Sequence, residues 1–254
     1  MVGIGFYKKM ELGNIMFPVA ALTYLAHKHN KDICYLNIHN ILSDLVATMP
    51  HESHPMDYLK IFKNIDFDIN KEAREETFYI ARVPFEYTPF TLYDGLCYLG
   101  YFQSYKYFER EFVKNLFEPS FSLEKWDYLF KGTTCSVHVR RGDYLQLKNQ
   151  FVNLTMDYYD RALSKIKADR YLVFSDDIEW CKENFKGDFI FVHEVNYVDM
   201  FLMSRCNYNV ISNSSFAWWG AYLGSQERVI APKDWFVPGY RSSKDLIPDN
   251  WEVI

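Results

Sequence analysis

The sequence predicts an α/β protein with parallel sheets, and its second half predicts this class most clearly. Short runs of β-branched and aromatic residues alternate there with single helical stretches, and the connections between them are short. A strand, one helix and a further strand imply a right-handed crossover, which joins two parallel strands of one sheet. Because 49% of the residues are apolar, the chain can bury the cores of two such domains.

The elements expected in the second half follow in regular order. Strands are predicted at 135–139, 171–174, 189–192, 208–211 and 229–231. Helices are predicted at 156–166, 178–184, 198–206 and 214–223. In the first of these helices, Tyr159, Leu163 and Ile166 fall on one face, which would pack against the sheet. This alternation is typical of a Rossmann-like domain.

The first half is less regular. Strands are predicted at 2–6, 33–36, 78–83 and 96–102, and helices at 14–29 and 105–116. Asn14 is expected to cap the first helix, and the inward face of that helix would carry Met16, Val19, Ala20 and Thr23. No order of elements is predicted between about Ile38 and Glu75. The polar stretch 118–127 divides the chain into domains 1–125 and 126–254.

Composition excludes several classes of protein. With 28 Lys+Arg and 33 Asp+Glu residues the net charge is −5, so no general nucleic-acid-binding surface is expected. The five cysteines are widely spaced without a Cys-x-x-Cys pair, which favours buried reduced thiols over disulfides or a zinc site. Because neither a signal peptide nor an apolar run of about 18 residues is present, we expect a cytoplasmic protein without stable membrane insertion.

The most informative segment is Ser-Val-His-Val-Arg-Arg-Gly-Asp-Tyr at 136–144. Arg140 and Arg141 leave the carboxyl end of a predicted strand, where open α/β sheets bind their ligands, and Gly142 permits a sharp turn there. Two guanidinium groups at such a place suit a diphosphate, because their paired N–H groups match phosphate oxygens. On these residues alone, a surface ion-pair cluster with Asp143 remains an equal alternative.

Two further segments are expected at the same edge of the sheet. Phe-Ser-Asp-Asp at 174–177 follows the next strand, and Asp176 or Asp177 would accept a hydrogen bond from a guanine or ribose edge. The polar cluster at 212–215 opens a helix, where Asn213 or Ser214 would be the cap. The free amides and dipole at such a helix start attract an anion. We therefore expect the three segments to form a site for a nucleoside diphosphate.

In this order, the motifs His-x-Arg-Arg-Gly-Asp-Tyr, Phe-Ser-Asp-Asp and Asn-Ser-Ser-Phe-x-Trp-Trp-Gly-Ala resemble those of the α-1,2-fucosyltransferases, glycosyltransferase family 11. Segments 12–17 and 98–108 resemble the family as well. The resemblance implies a GT-B-like fold of two Rossmann-like domains facing a central cleft. It implies metal-independent, inverting transfer of L-fucose from GDP-fucose to the 2-hydroxyl of a terminal galactoside, without a cofactor. The acceptor would be a galactose-terminated oligosaccharide or lipid-linked glycan, at the inner face of a membrane in the lipid-linked case.

The resemblance also assigns roles to residues. Arg140 would be catalytic. Two further catalytic candidates come from their positions and not from the resemblance: Asp143 is close to the arginines, and Glu11 lies in the first strand-to-helix loop. Asp143 is more readily explained as orienting an arginine, and Glu11 is the candidate base. Residues expected to bind the donor are His138, Arg140, Arg141, Asp176, Asp177, Asn213, Ser214, Ser215, Phe216 and Asn14. The alternatives are a buried core role for His138 and a helix N-cap for one of the two aspartates. Trp218 and Trp219 are expected in the core.

The sequence departs from the family pattern near its start. Met10 to Ile15 read Met-Glu-Leu-Gly-Asn-Ile, where the family has Gly-Gly-Leu-Gly-Asn-Gln, and Ala217 stands where serine is usual. The acceptor or linkage is thereby left open, and a nucleotide-sugar or glycan-binding module that has lost catalysis is a further alternative. Asp176 and Asp177 are also compatible with a metal-binding pair of a GT-A-type transferase, although such pairs usually read Asp-x-Asp.

Overall fold

The computed structural model describes residues 1–8, 10–36, 38, 61–65 and 78–254. The chain divides into two compact units, the first formed by Met1–Phe121 with Lys244–Leu246 and the second by Ser122–Ser243 with Ile247–Ile254. The junction lies four residues before the predicted one at 125/126. The stretch between Ile38 and Glu75, for which no elements were predicted, lies mostly outside the described residues.

The second unit contains a six-stranded sheet in which every pair of neighbouring strands is parallel. Its strands are β5 (Thr134–Val139), β6 (Arg170–Ser175), β7 (Phe189–Val192), β8 (Tyr208–Val210), β9 (Arg228–Ala231) and β10 (Glu252–Val253). They lie in the order β10-β9-β8-β5-β6-β7. Counted from β5, this is the order 6-5-4-1-2-3, which is the Rossmann order.

Single α-helices connect β5 to β6, β6 to β7, β7 to β8 and β8 to β9. They are α3 (Met156–Leu163), α4 (Ile178–Asn184), α5 (Asn196–Ser204) and α6 (Ser215–Leu223). The central strand β5 is buried along its whole length, as expected for a strand with helices on both faces of its sheet. Tyr159 of α3 is fully buried in the core cluster that packs against β5, as predicted, whereas Leu163 is partly buried.

The first unit contains a four-stranded sheet, again with parallel pairs only. Its strands are β1 (Val2–Gly5), β2 (Ile33–Tyr35), β3 (Tyr79–Arg82) and β4 (Leu96–Leu99), in the order β2-β1-β4-β3. The helices described in this unit are α1 (Leu12–Lys28) and α2 (Arg110–Leu116). The predicted fold class, α/β with two Rossmann-like parallel sheets, is confirmed.

Several predicted elements differ from those of the structure, and the reasons can be identified. The predicted helix 105–116 is interrupted, because Phe108 and Glu109 are extended between a 3-10 turn at Tyr105–Tyr107 and α2. The helix predicted at 198–206 begins at Asn196, where the Asp199 carboxylate accepts a hydrogen bond from the Glu194 backbone N–H at 3.2 Å. Strand β10 was not predicted, because two residues carry no periodic signal and pairing with β9 defines it.

The predicted helix cap at Asn14 was also wrong. Helix α1 begins two residues earlier, at Leu12, and the carbonyl of Glu11 accepts hydrogen bonds from the backbone N–H groups of Asn14 and Ile15. Glu11 is therefore the N-cap residue, although its side chain makes no capping hydrogen bond. The predicted stripe is buried at Met16, Val19 and Ala20.

The five cysteines are free and buried, as predicted. Trp218 and Trp219 are fully buried, which confirms their predicted place in the core. Among the helices of the described ranges, none is both long and apolar enough to cross a membrane.

Gly220 allows α5 and α6 to pack closely. A Cβ atom at this position would lie 2.7 Å from Met203 Cε and 3.0 Å from Met203 Cβ. We expect Gly220→Ala to lower the free energy of unfolding by about 1 kcal/mol, because overpacking of about 1–3 kcal/mol outweighs the gain in helix propensity of about 1 kcal/mol. Urea denaturation measures the change. Combining it with Met203→Ala removes the obstructing side chain, so additive effects of the two substitutions would contradict the explanation.

Candidate functional site

The site is positioned by the point where the strand order of the second unit reverses. Strands β5 and β8 are adjacent in the sheet although β6 and β7 come between them in the sequence. The connections that follow β5 and β8 run in opposite directions along the sheet. In open α/β sheets a crevice forms at this point, outside the carboxyl ends of the strands. His138 near the end of β5 and Ser212 just after β8 face each other there, with His138 Nδ1 and Ser212 Oγ 2.8 Å apart.

His138 is held as a neutral side chain. It is 5% exposed, and its ring lies 5.6 Å from the ring of Phe216 between centroids. Burial, and secondarily the positive charge of Arg140, lower the pKa of His138 to about 3. At neutral pH it therefore orders the crevice by hydrogen bonding and packing, and contributes no positive charge to it.

Arg140 lies at the exit of β5 between two carboxylates. Its Nη2 donates to Asp143 Oδ1 at 2.8 Å, and its Nη1 is 3.3 Å from Asp176 Oδ2. Its guanidinium also lies over the ring of Tyr144, 5.3 Å from the centroid. The predicted ion pair with Asp143 is thus present, but it is one of several contacts that orient this arginine.

Arg141 is held more tightly against the protein. Its Nε donates to Asp177 Oδ2 at 3.0 Å, and its guanidinium lies 4.1 Å from the ring of Trp180. Asp177 also caps α4, because its Oδ1 accepts from the Trp180 backbone N–H at 3.3 Å. The alternative reading of one aspartate as an N-cap is therefore confirmed for Asp177, and this residue positions Arg141.

Asp176 links the two arginines. Its Oδ1 accepts from the backbone N–H of Arg141 at 2.9 Å, while its Oδ2 contacts Arg140. Burial raises the pKa of Asp176, and the charge of Arg140 opposes that shift. Gly142 makes this approach sterically possible, because a Cβ there would lie 2.5 Å from Asp176 Oδ2. Direct contact of either aspartate with a nucleoside stays a prediction.

The start of α6 forms the third part of the site. Within the described part of the chain, the backbone N–H groups of Ser215, Phe216 and Ala217 have no hydrogen-bond acceptor, as is usual in the first turn of a helix. Ser214 occupies the N-cap position, but no side chain caps the helix, so the predicted capping hydrogen bond was wrong. These amides and the helix dipole form an electropositive end at the crevice.

Asn213, just before this helix start, is held in place by hydrogen bonds. It is fully buried, and its Nδ2 donates to the carbonyls of Val152 and Trp235, each at 2.8 Å. The hydroxyl of Tyr144 donates to the Asn213 carbonyl at 3.0 Å, which connects the arginine loop to the start of α6. The structure therefore brings the three predicted segments together, and contact of the Asn213 amide with a donor stays a prediction.

Glu11 and Asn14 lie in the first unit, after β1. Glu11 is exposed at the start of α1. Asn14 lies inside α1, and its Oδ1 accepts from Gln103 Nε2 at 2.6 Å. Their predicted roles, as base and donor ligand respectively, stay predictions.

Sequence reasoning missed three residues that organise this site. Tyr144 packs on Arg140 and anchors the α6 turn, Trp180 packs on Arg141, and Ser212 bonds His138. Tyr144 and Ser212 were within the motifs but received no role. Trp180 follows the N-cap residue Asp177 by three residues. This spacing is typical of a helix start, so the sequence does contain a signal for the position of Trp180. In the described ranges, no group of three or more His, Cys, Asp and Glu side chains is arranged to hold a metal ion.

The family model of Glycosyl transferase family 11 matches residues 5–254, nearly the whole chain. The chain belongs to glycosyl transferase family 11. All of the site residues described above lie within the match.

Curated relatives of this family-11 chain come from bacteria and animals. The O-antigen biosynthesis glycosyltransferase WbnK of Escherichia coli is 34% identical over 62% of this chain and 60% of its own length. An alpha-1,2-colitosyltransferase of Escherichia coli is 35% identical over 61% of each. Galactoside alpha-(1,2)-fucosyltransferase 1 of Leontopithecus chrysomelas is 33% identical over 38% of this chain and 30% of its own. The matched region thus spans about 60% of the length of the two bacterial relatives.

Solved structures with a similar fold include fucosyltransferase NodZ from Bradyrhizobium, which has 12% identity and a TM-score of 0.48 over 90% of this chain and 94% of its own. A NodZ alpha-1,6-fucosyltransferase crystal soaked with GDP-fucose gives a TM-score of 0.49 at 12% identity, over 91% and 94%. Similarity at this level carries no argument about the activity of the family-11 chain.

Proposed function

We propose that this chain is an inverting, metal-independent glycosyltransferase that moves L-fucose from GDP-fucose to the 2-hydroxyl of a terminal galactoside. Membership of glycosyl transferase family 11 supports sugar transfer. The names of a bacterial and an animal relative both specify the α-1,2 linkage, although their sugars differ. Arg140 carries the proposal, because it follows β5 at the switch-point crevice and packs on Tyr144, whose hydroxyl donates to the Asn213 carbonyl just before α6.

The diphosphate would displace Asp143 from Arg140. The Asp143 side chain is 53% exposed, and exposed ion pairs of this kind contribute only about 0–1 kcal/mol. A diphosphate offers more negative charge and can receive the α6 amides at the same time. Asp176 and Tyr144 would keep the guanidinium in place during this exchange. The crevice would thus be preorganised around Arg140.

The chemistry requires stabilisation of a leaving diphosphate. Inverting transfer breaks the bond between the sugar's anomeric carbon and the diphosphate while the acceptor oxygen forms its bond from the opposite face. Negative charge grows on the diphosphate as the sugar becomes oxocarbenium-like, and groups that bind this charge more tightly in the transition state accelerate the step. Arg140 and the amides of Ser215, Phe216 and Ala217 would provide this stabilisation.

The contacts of Asp176 and Asp177 favour arginine over a metal ion as their positive partner. All four of their carboxylate oxygens already contact donors, namely Arg140, the Nε and backbone N–H of Arg141, and the Trp180 N–H. This arrangement supports the proposed metal independence over the GT-A-type alternative.

Asp143→Asn is expected to bind GDP at least as tightly as the unchanged protein, because the substitution removes the negative charge that competes with the diphosphate. Fucosyl transfer should remain within about fivefold, since an exposed pair contributes at most about 1 kcal/mol. Isothermal titration calorimetry with GDP and initial rates measure the two effects. A loss of turnover by two orders of magnitude with GDP affinity retained would instead give Asp143 a direct catalytic role.

Glu11 is our proposed general base for the acceptor hydroxyl. It is an exposed carboxylate at the carboxyl edge of the first sheet, and its side chain does not cap α1. General-base catalysis typically contributes about 10²–10⁴-fold, so Glu11→Gln should lower kcat by about that factor without changing the KM for GDP-fucose. Normal turnover of Glu11→Gln across pH would remove Glu11 from this role.

The first test is GDP release from GDP-fucose in EDTA, with and without lactose, together with NMR assignment of the product linkage. Acceptor-dependent release and an α-1,2 product are expected. Activity that is lost in EDTA and restored by Mn²⁺ would contradict metal independence. Binding of GDP-fucose without release or product in an acceptor screen would favour a binding module.

A second candidate is colitosyl transfer with the same linkage. The match to the bacterial alpha-1,2-colitosyltransferase covers 61% of this chain, against 38% for the animal fucosyltransferase. Colitose is fucose without one ring hydroxyl, and a site that hydrogen-bonds a hydroxyl rejects the analogue that lacks it by as much as about 10⁴-fold. The ratio of kcat/KM values for GDP-fucose and GDP-colitose decides between the two donors.

A further inference from the structure

We propose that Tyr7, Phe85 and Tyr101 of the first unit form an aromatic platform that binds the galactose ring of the acceptor. This inference rests on the proposed function, because it names where that reaction's acceptor would bind. It assigns an acceptor role to residues outside the arginine site, and it places Asn14, which was predicted above to bind the donor, beside the acceptor.

The sheet brings these three rings to one edge. Tyr7 follows the end of β1 by two residues, Tyr101 follows β4 by two, and Phe85 follows β3 by three. Because these strands are parallel and adjacent, their carboxyl ends lie at the same edge, which is where α/β sheets bind ligands. Tyr7 and Tyr101 stack with centroids 5.1 Å apart and planes at 29°, and Phe85 contacts Tyr101 edge-on at 5.9 Å.

These rings differ from the core aromatics of the same unit. Phe102 is fully buried and Tyr107 is 3% exposed, as expected for side chains that only pack. Tyr7, Phe85 and Tyr101, in contrast, remain partly exposed. A partly exposed aromatic stack at a ligand-binding edge offers an apolar face to a ligand.

A polar pair at the same edge completes the surface that a sugar requires. Asn14 Oδ1 accepts from Gln103 Nε2 at 2.6 Å. Within the described part of the chain, Asn14 Nδ2 and Gln103 Oε1 form no further hydrogen bond, so one donor and one acceptor remain. Gln103 is two residues beyond Tyr101, and Asn14 lies in the helix that follows β1. Aromatic rings and amide groups thus follow the carboxyl ends of the same sheet.

This combination matches the chemistry of a galactoside. The axial hydroxyl of galactopyranose leaves one ring face lined by C–H groups, while hydroxyls surround its rim. The C–H face would lie on the Tyr7–Tyr101 stack, and the rim hydroxyls would reach the amides of Asn14 and Gln103. Such a platform would set acceptor affinity without contacting the nucleotide.

The kinetic test compares Tyr101→Ala with Tyr93→Ala in the full chain. Tyr93 is 61% exposed in the same unit and lies before β4, at the opposite edge of the sheet, so it is a matched control. Tyr101→Ala should raise the KM for lactose by about tenfold, as expected for loss of one aromatic contact, with the KM for GDP-fucose within about twofold. Tyr101→Phe should retain the lactose KM. An unchanged lactose KM in Tyr101→Ala would overturn the platform.

A binding measurement tests the platform independently of turnover. Saturation-transfer NMR with methyl β-galactoside should show transfer from protein aromatic protons in the unchanged protein and in Tyr93→Ala, and its loss in Tyr101→Ala and Tyr7→Ala. Circular dichroism verifies that the variants are folded. Equal saturation transfer in all four proteins, or none in the unchanged protein, would overturn the proposal. Galactoside binding without any fucosyl transfer would support the platform while contradicting the proposed function.

Discussion

Replacing Arg140 with alanine is expected to remove nearly all sugar transfer while the second unit stays folded. Arg140 lies at the exit of β5, paired with the exposed Asp143, which the diphosphate displaces in the proposed function. Each charge-assisted hydrogen bond is worth about 1.5–3 kcal/mol, so the loss of two would lower kcat/KM by roughly 10²–10⁴-fold. Initial rates with GDP-fucose and lactose, together with calorimetric GDP affinity, measure this effect.

Arg205→Ala is the matched control. Arg205 belongs to the same unit and has the same kinds of contact, an ion pair with Asp127 at 2.7 Å and a ring contact with Phe130 at 4.2 Å. It follows α5, whose end lies away from the carboxyl edge of the sheet. Transfer by Arg205→Ala should stay near that of the unchanged protein. Substantial turnover by Arg140→Ala would eliminate the role proposed for Arg140.

Arg140→Lys separates charge from geometry. The lysine keeps a positive charge beside the partly exposed Asp176 carboxylate, so folding should be preserved even where alanine weakens it. A single ammonium cannot reproduce the paired donors of the guanidinium, and activity should remain well below that of the unchanged protein. Full activity of Arg140→Lys would mean that charge alone suffices.

Replacing Trp218 with alanine is expected to have the largest effect on stability. Trp218 is fully buried in α6, stacked on Tyr222 at 4.3 Å and packed edge-on against Trp219 at 4.9 Å. Truncating a buried tryptophan removes its burial and leaves a cavity, which costs about 3–5 kcal/mol. Because α6 also supplies the crevice amides, donor binding should be lost together with the fold. Urea denaturation followed by circular dichroism measures the loss.

Trp218→Phe and Tyr128→Ala are the comparisons for this prediction. Phenylalanine keeps much of the buried ring and should lose clearly less stability than alanine. Tyr128 is 58% exposed, and its truncation should change the free energy of unfolding by less than about 0.5 kcal/mol. If Trp218→Ala lost activity but kept its stability, burial of the ring in the core would not explain the lost activity. The ring would then be a ligand contact.

Local signals predicted the parts of the fold that local interactions control. Helix α4 and strand β7 begin and end at the predicted residues. The start of α4 is set by a local contact, because Asp177 directly before the helix caps it. Helix α3 ends at Leu163, three residues early, because Lys165 and Ile166 donate to carbonyls three residues back in a tighter turn. Asn14 failed as a cap because its side chain bonds Gln103, 89 residues away.

The sequence predicted which residues lie at the candidate site better than it predicted which of them contact each other. Placement after parallel strands was enough to expect Arg140, Asp176 and Ser214 at one edge. The hydrogen-bond and ion-pair partners of these residues were not predictable, because contacts between loops depend on the order of the strands in the sheet. The nucleoside contact of Asp176 and Asp177 stays a prediction, and the contacts of their oxygens with the two arginines were not predicted.

The sequence by itself determined the α/β class, the parallel sheets, the segments that carry the chemistry and the family resemblance, because periodicity and motif order are local properties of the chain. Only the tertiary structure decided the strand order β10-β9-β8-β5-β6-β7, and with it the pairing of His138 with Ser212. It also decided that Tyr7 stacks on Tyr101. These pairs join residues far apart in sequence, and their free energy comes from burial and hydrogen bonding that form only when the sheets assemble.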